Sequence, residues 1–206
     1  MGISERRARE RDQRRAEILR AAWLVADRDG WSGFSVERVA AQAELGRATV
    51  YGYFDSLEVL VLEMAREALS DLSGRVAEAS DFAQALDVPV RFSQSNRAAF
   101  ALLFPPVPDP RQTFSSEALK QIQVEARRLI GKLQRVAERS GASLPEDARS
   151  AAAFVAGIAM AGALVPELSE STTLRRRWQD FCLDTAESGE HEVKPDSSSK
   201  SSKTGA

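Results

Sequence analysis

Residues 47–53, RATVYGY, combine side chains that suit contacts with a nucleic-acid duplex. The guanidinium at the start of the segment has the fork geometry that recognises guanine O6 and N7, and the threonine offers a hydroxyl to a base or a methyl to thymine. The phenolic hydroxyls of Tyr51 and Tyr53 suit phosphate oxygens. The alternative is that both tyrosines pack beneath the segment. Residues two apart cannot face the same way on a helix, and Val50 and Phe54 already supply an inward side, so we favour phosphate contacts.

The first 20 residues hold seven arginines and four acidic side chains, a local net charge of +3. The arginines are Arg6, Arg7, Arg9, Arg11, Arg14, Arg15 and Arg20. One interpretation is a solvated helix face with oppositely charged pairs four residues apart. The other is a flexible arm whose guanidinium groups neutralise phosphates and enter a narrow minor groove. Because residues 47–53 suit contacts with a duplex, we favour the flexible arm. In that interpretation Arg11 and Arg14 contact DNA.

The overall charge excludes a general attraction to nucleic acids or membranes. The chain holds 28 basic and 30 acidic residues, a net charge of −2, and residues 1–66 hold 11 of each sign. Affinity for an anionic partner must therefore come from where the charges are placed rather than from their sum.

Metal, cofactor and membrane chemistry find no support in the sequence. Cys182 is the single cysteine and His191, in a polar tail, the single histidine, which excludes an internal disulfide and a Cys/His metal site. No glycine-rich phosphate loop follows a strand and no paired carboxylates suggest a shared cleft, so we predict no catalytic site, metal or cofactor.

The charged N-terminus is no secretory signal, and no apolar run approaches the ~20 residues of a membrane span. We expect a cytoplasmic protein.

Helical periodicity and turn residues place the segment 47–53 in a helix-turn-helix unit. A first helix is predicted from about residue 11 to 28, stopped by Gly30. Ser35 caps a second helix of about eight residues, and a turn at residues 44–46 leads into the third. Two short helices around a glycine-containing turn are typical of DNA-binding proteins, in which the second helix enters the major groove.

The rest of the chain also shows helical periodicity, so the predicted fold class is all-α, an N-terminal helix-turn-helix domain followed by an all-helical domain. The further helices are one capped by Asp55 or Ser56 and others at residues 82–96, 97–104, 115 to about 141, 143–164 and 172–188. Pro89 should end or kink the helix at 82–96. A tail at residues 189–206 is too polar to offset its ordering entropy.

Residues Ile18 to Leu60 resemble the N-terminal domain of the TetR family of bacterial transcriptional regulators. The stretches ILRAAWLVADRDGW, FSVERVAAQAELGRATVYGYF and DSLEVL carry the resemblance, in the order and spacing of that family. Four positions depart from the pattern. Glu44 replaces the usual turn glycine, Gly46 a capping Ser or Thr, Leu57 a phosphate-contacting lysine, and Gly52 an often aromatic residue. The resemblance thus implies a less well capped third helix.

The resemblance implies a homodimer that binds a near-palindromic operator in double-stranded DNA. It maps DNA contacts onto Ser35, Arg47, Ala48, Thr49, Tyr51 and Tyr53. It implies that the last two helices pair with those of a second subunit, for which the candidates are Ala152, Ala156, Ala159, Ala163, Trp178 and Phe181. It also implies a small apolar or aromatic effector between the middle helices, with candidate lining residues Met64, Phe92, Phe100, Leu103, Phe104 and Phe154. Ordinary core packing is the alternative for the last two sets.

On this basis we predict a transcriptional repressor, not an enzyme, that a small-molecule effector releases from its operator. Residues 1–66 would form the DNA-binding domain, residues 67–188 the effector-binding and dimerisation domain, and residues 189–206 a disordered tail. An activator, or a protein-interaction module without an effector, is the alternative function.

Overall fold

All the elements that the structure describes are helical. The computed structural model describes residues 2–104, 114–141 and 157. Its helices are α1 (Ile3–Asp29), α2 (Val36–Gln42), α3 (Arg47–Tyr53), α4 (Leu57–Ala77), α5 (Phe82–Ser95), α6 (Arg97–Leu103) and α7 (Ser116–Arg139). A single 3-10 turn at Trp31–Gly33 joins α1 to α2. Within these ranges the all-α prediction is confirmed, and α2 and α3 form the expected helix-turn-helix.

Helix α1 begins at Ile3, well before the predicted start, so the arginines near the N-terminus lie on a helix and the prediction of a flexible arm is wrong. The apolar stripe that guided the prediction begins only at Ile18. Before it, helix-favouring Arg, Glu, Gln and Ala residues continue the helix without burying a face. Pairs one turn apart support it, such as Arg6 Nε and Glu10 Oε1 at 3.6 Å.

Four helices begin at a side chain that caps a free backbone amide. Ser35, Ser56, Asp81 and Ser115 each accept a hydrogen bond from the amide three residues later, at 3.4, 3.1, 2.8 and 3.3 Å. Ser35 is the predicted cap of α2, and Ser56 is one of the two residues, Asp55 or Ser56, predicted to cap α4. Each such cap contributes about 1 kcal/mol relative to alanine, which fixes where these helices begin.

Helix α5 continues through Pro89 as one helix. Proline removes the amide hydrogen that would bond to the carbonyl one turn earlier, at Ala85. The ring of Pro89 is buried, so packing offsets part of that loss. The helix ends instead at Asn96, whose amide donates to the Phe92 carbonyl at 2.8 Å, and α6 follows at once.

The buried apolar residues form two clusters that share α4 and α6. The N-terminal cluster joins α1, α2, α3 and the first half of α4 to Ala98 and Leu102 of α6. The central cluster joins the second half of α4 to α5, α7 and Ala99 of α6. Trp31 of the 3-10 turn donates its Nε1 hydrogen to the Ala98 carbonyl at 2.9 Å. Helix α6 thus packs in the N-terminal cluster with one face and in the central cluster with the other.

Apart from residue 157, the predicted helices at 143–164 and 172–188 and the tail at 189–206 lie outside the described residues. So do the candidate interface residues Ala152, Ala156, Ala159, Ala163, Trp178 and Phe181, and the effector candidate Phe154. Among the helices that the structure does describe, none is long and apolar enough to cross a membrane.

Candidate nucleic-acid interface

The turn between α2 and α3 is held by backbone hydrogen bonds. The Leu45 amide donates to the Ala40 carbonyl at 2.8 Å, and the Glu44 amide donates to the Ala41 carbonyl at 3.2 Å. Glu44 has φ of 56°, the left-handed region that favours glycine. Gly46 begins α3 without a side-chain cap, as the sequence predicts. The angle between α2 and α3 is therefore set by a tight turn with one strained residue.

Helix α3 is buried on one side only. Val50 and Phe54 are each 1% exposed and pack in the N-terminal cluster, which confirms the inward side predicted from their spacing. The opposite face is exposed, and it presents Arg47, Ala48, Thr49, Tyr51 and Gly52. An outward face with a guanidinium, two hydroxyls and small residues beside them fits the floor and edge of a major groove.

Arg47 is engaged by an acidic residue of α2. Its Nη2 lies 3.0 Å from Glu37 Oε1, and the two side chains are 59% and 54% exposed. The Glu37 carboxylate also accepts hydrogen bonds from its own backbone amide and from the Ser35 hydroxyl, which together with the Arg47 charge lower the pKa of Glu37. Ser35 therefore caps α2 and contributes to the lowered pKa of Glu37. The sequence reasoning named Ser35 and Arg47 but missed Glu37.

Tyr53 differs from Tyr51 in its surroundings. Tyr51 is 39% exposed, whereas Tyr53 is half-buried and lies near the guanidinium of Arg11, whose Cζ is 5.4 Å from the ring centroid. A cation over the ring face holds that ring at the edge of α3. The sequence-predicted residues Arg11 and Tyr53 are thus brought together, while Arg14 pairs with Glu17 of its own helix at 2.8 Å.

Arg15, which the sequence reasoning did not single out, ties α1 to the end of α3. Its Nη1 donates to the Tyr53 carbonyl at 2.8 Å, its Cζ lies 4.3 Å from the Phe54 ring centroid, and its Nη2 lies 3.2 Å from Glu63 Oε1. The signal was present in the spacing, since Arg15 precedes Ile18 by three residues on the inward stripe of α1. An arginine in that register covers the core with its stem and reaches polar groups with its head.

A second charged group joins α1 to α2. Asp29 lies between Arg28 and Arg38, with oxygen–nitrogen distances of 2.8 and 3.0 Å. The hydrogen bond from Arg28, with further bonding and charge from Arg38, lowers the pKa of Asp29 to about 2. Gly33 makes room for this group, because a Cβ there would lie 2.9 Å from Arg38 Nη1.

The helix-turn-helix lies within the part of the chain that a family profile recognises. Residues 18–64 match the profile of the bacterial regulatory proteins of the tetR family. The matched stretch runs from the buried part of α1 into α4 and includes the whole helix-turn-helix. No curated protein matches it by sequence.

Solved TetR-family structures share this fold at low sequence identity. PfmR from Thermus thermophilus is 20% identical over 81% of this chain and 97% of PfmR, with a TM-score of 0.56. A tetR-family regulatory protein from Rhodococcus RHA1 is 16% identical over 84% of this chain and 96% of that protein, with a TM-score of 0.57. FadR from Bacillus subtilis, solved in complex with stearoyl-CoA, is 18% identical over 85% of this chain and 99% of FadR, with a TM-score of 0.55.

An apolar cavity of about 110 Å³ lies between α4, α6 and α7. It is lined by Leu69, Leu103, Phe104, Ile122, Ala126, Leu129 and Ile130. Two predicted effector residues, Leu103 and Phe104, therefore meet there, and the Phe100 ring lies 5.1 Å from that of Phe104. Drug-sized ligands occupy about 300–1,000 Å³, so the cavity fits one apolar group of a ligand.

The other predicted effector residues lie elsewhere. Met64 is fully buried in the N-terminal cluster, beneath the helix-turn-helix. Phe92 lines a more polar cavity of about 270 Å³ together with Trp23, Asp27, Glu67, Ala68, Asp71, Asn96 and Ala99. Of the five candidates that the structure describes, Phe100, Leu103 and Phe104 thus lie together, whereas Met64 and Phe92 lie apart from them. Among the residues described, no three His, Cys, Asp or Glu side chains are grouped to hold a metal.

Proposed function

We propose that this chain is a TetR-family repressor that binds a near-palindromic operator and leaves it when a small apolar effector binds. The outward face of α3, fixed by Val50 and Phe54 on its inward side, carries the proposal. A helix presented in this way can place its first residues on base edges while its flanks contact phosphates.

The proposed contacts divide by chemistry. Arg47 and Thr49 read bases, and Ala48 allows close approach to the groove floor. Ser35, Tyr51 and Tyr53 contact phosphates, as does the α1 surface with Arg11 and Arg14. Because these two arginines sit on a helix, we assign them to the DNA backbone rather than to the minor groove.

Two copies of α3 would be needed for a near-palindromic operator. Successive major grooves on one side of B-form DNA are about 34–36 Å apart, a spacing that a rigid homodimer can hold. We propose residues 67–188 as the effector and dimerisation domain, residues 1–66 as the DNA-binding domain and residues 189–206 as a tail. The interface would use Ala152, Ala156, Ala159, Ala163, Trp178 and Phe181, whose small and aromatic side chains suit close helix packing.

Effector release would act through α6. Leu103 and the adjoining Phe104 border the apolar cavity, while Ala98 and Leu102 belong to the N-terminal cluster and Trp31 bonds to the Ala98 carbonyl. A ligand that displaces α6 would therefore shift the helix-turn-helix. The size of this effect is limited by the difference between the affinities of the ligand for the DNA-bound and the released state of the protein. The stearoyl-CoA in FadR makes a long acyl chain a reasonable first class of effector to test.

The test is sequence selection from random duplexes with the full chain, followed by binding of Arg47→Ala to the selected operator. Loss of a bidentate base contact costs about 1–3 kcal/mol, so we expect affinity to fall about 5- to 150-fold. Arg91→Ala is the matched control, because Arg91 lies on α5, is 72% exposed and pairs within its own helix, with Asp87 at 3.5 Å. Equal operator affinity of Arg47→Ala and the control would remove Arg47 from base reading, and no selected sequence would refute the function.

A further inference from the structure

A groove of about 460 Å³ lies between α4 and α7. Among the described residues it shares no lining side chain with the apolar cavity. Cationic side chains of α7 line it, namely Arg127, Arg128, Lys132 and Arg135. Residues four apart lie on the same side of a helix, which applies to Arg128 and Lys132 and, over two such steps, to Arg127 and Arg135. The groove therefore concentrates positive charge on a chain whose net charge is −2.

Within the part of the chain that the structure describes, three of these cations have no acidic partner. Arg128 is paired, since its Nη1 lies 2.8 Å from Glu125 Oε1. No carboxylate of the described residues pairs with Arg127, Lys132 or Arg135. Like charges gathered in one groove repel one another, and a bound anion relieves that repulsion.

A buried hydroxyl lies at the floor of the groove. Ser73 of α4 lines the groove, yet it is only 5% exposed. Its side chain has no hydrogen-bond partner among the described residues. Every fully enclosed side-chain nitrogen and oxygen of those residues does have one, so the Ser73 hydroxyl is open to the groove. Buried polar groups are normally hydrogen-bonded, and this one is left to donate to whatever occupies the groove.

The groove lies away from the helix-turn-helix. At about 1.5 Å per residue, Ser70, which also lines the groove, lies roughly 20 Å along α4 from Leu57, the first residue of that helix after α3. An operator phosphate is therefore not the favoured occupant. The volume instead falls within the range of about 300–1,000 Å³ that small-molecule sites occupy.

We propose that this groove binds a small molecule with two or more linked phosphate groups. Arginine forks bond phosphate oxygens two at a time, and the lysine and serine side chains donate to the remaining oxygens. Arg127 and Arg135 begin roughly 12 Å apart along α7, so a pyrophosphate or triphosphate reaches more of the cations than a single phosphate does. The inference goes beyond the proposed repressor function and does not depend on it, because this binding needs no DNA.

The experiment measures binding of inorganic pyrophosphate and of inorganic phosphate to the full-length protein by calorimetry at constant ionic strength. We expect pyrophosphate to bind at least 10-fold more tightly than phosphate. Arg127→Gln and Arg135→Gln should each weaken pyrophosphate binding about 5- to 10-fold, as expected for a charge-assisted contact in a partly exposed site. Lys132→Gln repeats the test at a third cation if an arginine variant fails to fold.

Arg91→Gln is the matched control, because it removes the same charge from α5, outside the groove. Arg91 is 72% exposed and pairs within its own helix, with Asp87 at 3.5 Å. We expect this variant to bind pyrophosphate as the wild type does. Thermal unfolding of each variant checks that the fold is retained.

Ser73→Ala separates a ligand contact from a structural role. Because the Ser73 hydroxyl has no partner among the described residues, its removal should leave Tm unchanged or higher in the absence of ligand. The same change should weaken pyrophosphate binding about 3-fold or more, because the hydroxyl then no longer donates to a phosphate oxygen.

The outcomes decide between this site and a general attraction of anions. Pyrophosphate binding that the groove variants leave unchanged would place the anion elsewhere and overturn the inference. Equal weakening by Arg91→Gln would indicate attraction to net charge alone, and it would overturn the inference too, as would the absence of binding to the wild type. The repressor function is tested separately, by operator selection.

Discussion

At the residue scale, several arginines of α1 and α2 connect neighbouring segments through hydrogen bonds, ion pairs and ring contacts. Arg15 stacks on Phe54 and donates to the Tyr53 carbonyl, and Arg28 and Arg38 converge on Asp29. A guanidinium suits this role because its planar fork can bond and stack at the same time. The equal numbers of basic and acidic residues in residues 1–66 therefore reflect internal pairing.

Asp29 should make the stability of the fold depend on pH. Its pKa in the folded protein is about 2, below its ordinary value of 3.8. The folded state therefore binds this proton less readily than the unfolded state, so the Asp29 contribution is complete above about pH 4 and disappears as the pH falls through about 2. We expect Asp29→Asn to lower Tm at pH 7 and to make little difference at pH 2.

Thermal unfolding at several pH values tests this, with Asp27→Asn as the control. Asp27 is the nearest acid on the same helix and lies outside the group formed by Arg28, Asp29 and Arg38. An equal loss of Tm for Asp29→Asn at pH 7 and pH 2 would contradict the proposed ion-pair contribution.

At the element scale, the turn between α2 and α3 is where the sequence departs most from a favourable local structure. Glu44 holds a left-handed conformation at φ 56°, and Gly46 gives α3 no side-chain cap. Both departures destabilise the start of α3. The turn persists because Val39, Ala40 and Val50 pack on either side of it in the N-terminal cluster.

Replacing Glu44 with glycine should stabilise the protein. The left-handed conformation costs an L-residue about 1–2 kcal/mol, while glycine loses about 0.5–1 kcal/mol more entropy on folding. We expect a net gain of about 0.5–1 kcal/mol in the free energy of unfolding, measured by denaturant titration of the full chain. Glu44→Ala removes the same charge but keeps the Cβ, so it should show no such gain; a gain of equal size would mean that charge, not strain, is responsible.

At the scale of the whole molecule, the two clusters are joined through α4 and α6. Helix α4 runs unbroken from Leu57 to Ala77 across the proposed domain boundary at residues 66 and 67. Helix α6 gives Ala98 and Leu102 to one cluster and Ala99 to the other. With no flexible linker between them, the helix-turn-helix and the central helices should unfold together and move together.

Trp31→Phe should weaken this connection. It removes the hydrogen bond to the Ala98 carbonyl, a net contribution of about 0.5–1.5 kcal/mol, and keeps an aromatic ring beside Trp23 and Phe34. We expect a fall of about 1 kcal/mol in the free energy of unfolding, with fluorescence and far-UV circular dichroism following one transition.

Trp23→Phe is the matched control for this change. It also removes an indole hydrogen bond, but to the exposed carboxylate of Glu67, which water can satisfy. A smaller loss is therefore expected. Separate transitions by the two probes in the wild type would show that the two clusters are independent.

Local signals in the sequence were sufficient to predict where most helices lie and which face of α3 is buried. Serine caps, the glycine after α1 and the spacing of Val50 and Phe54 are short-range features. They set α2, α3 and α7 close to their predicted bounds and begin α4 at Ser56, one of its two predicted caps. The start of α1 was missed because a helix without a buried face has no periodic pattern, and α5 continued past Pro89 because packing outweighs one lost hydrogen bond.

Only the tertiary structure decided which side chains meet across elements. The pairing of Glu37 with Arg47, the reach of Arg15 to the end of α3 and the separation of Met64 and Phe92 from Leu103 and Phe104 depend on how helices pack. Periodicity states that a residue points inward but not which neighbour it finds there. The neighbour is decided by how α1, α4 and α6 pack against one another, and these contacts join residues that are far apart in the sequence.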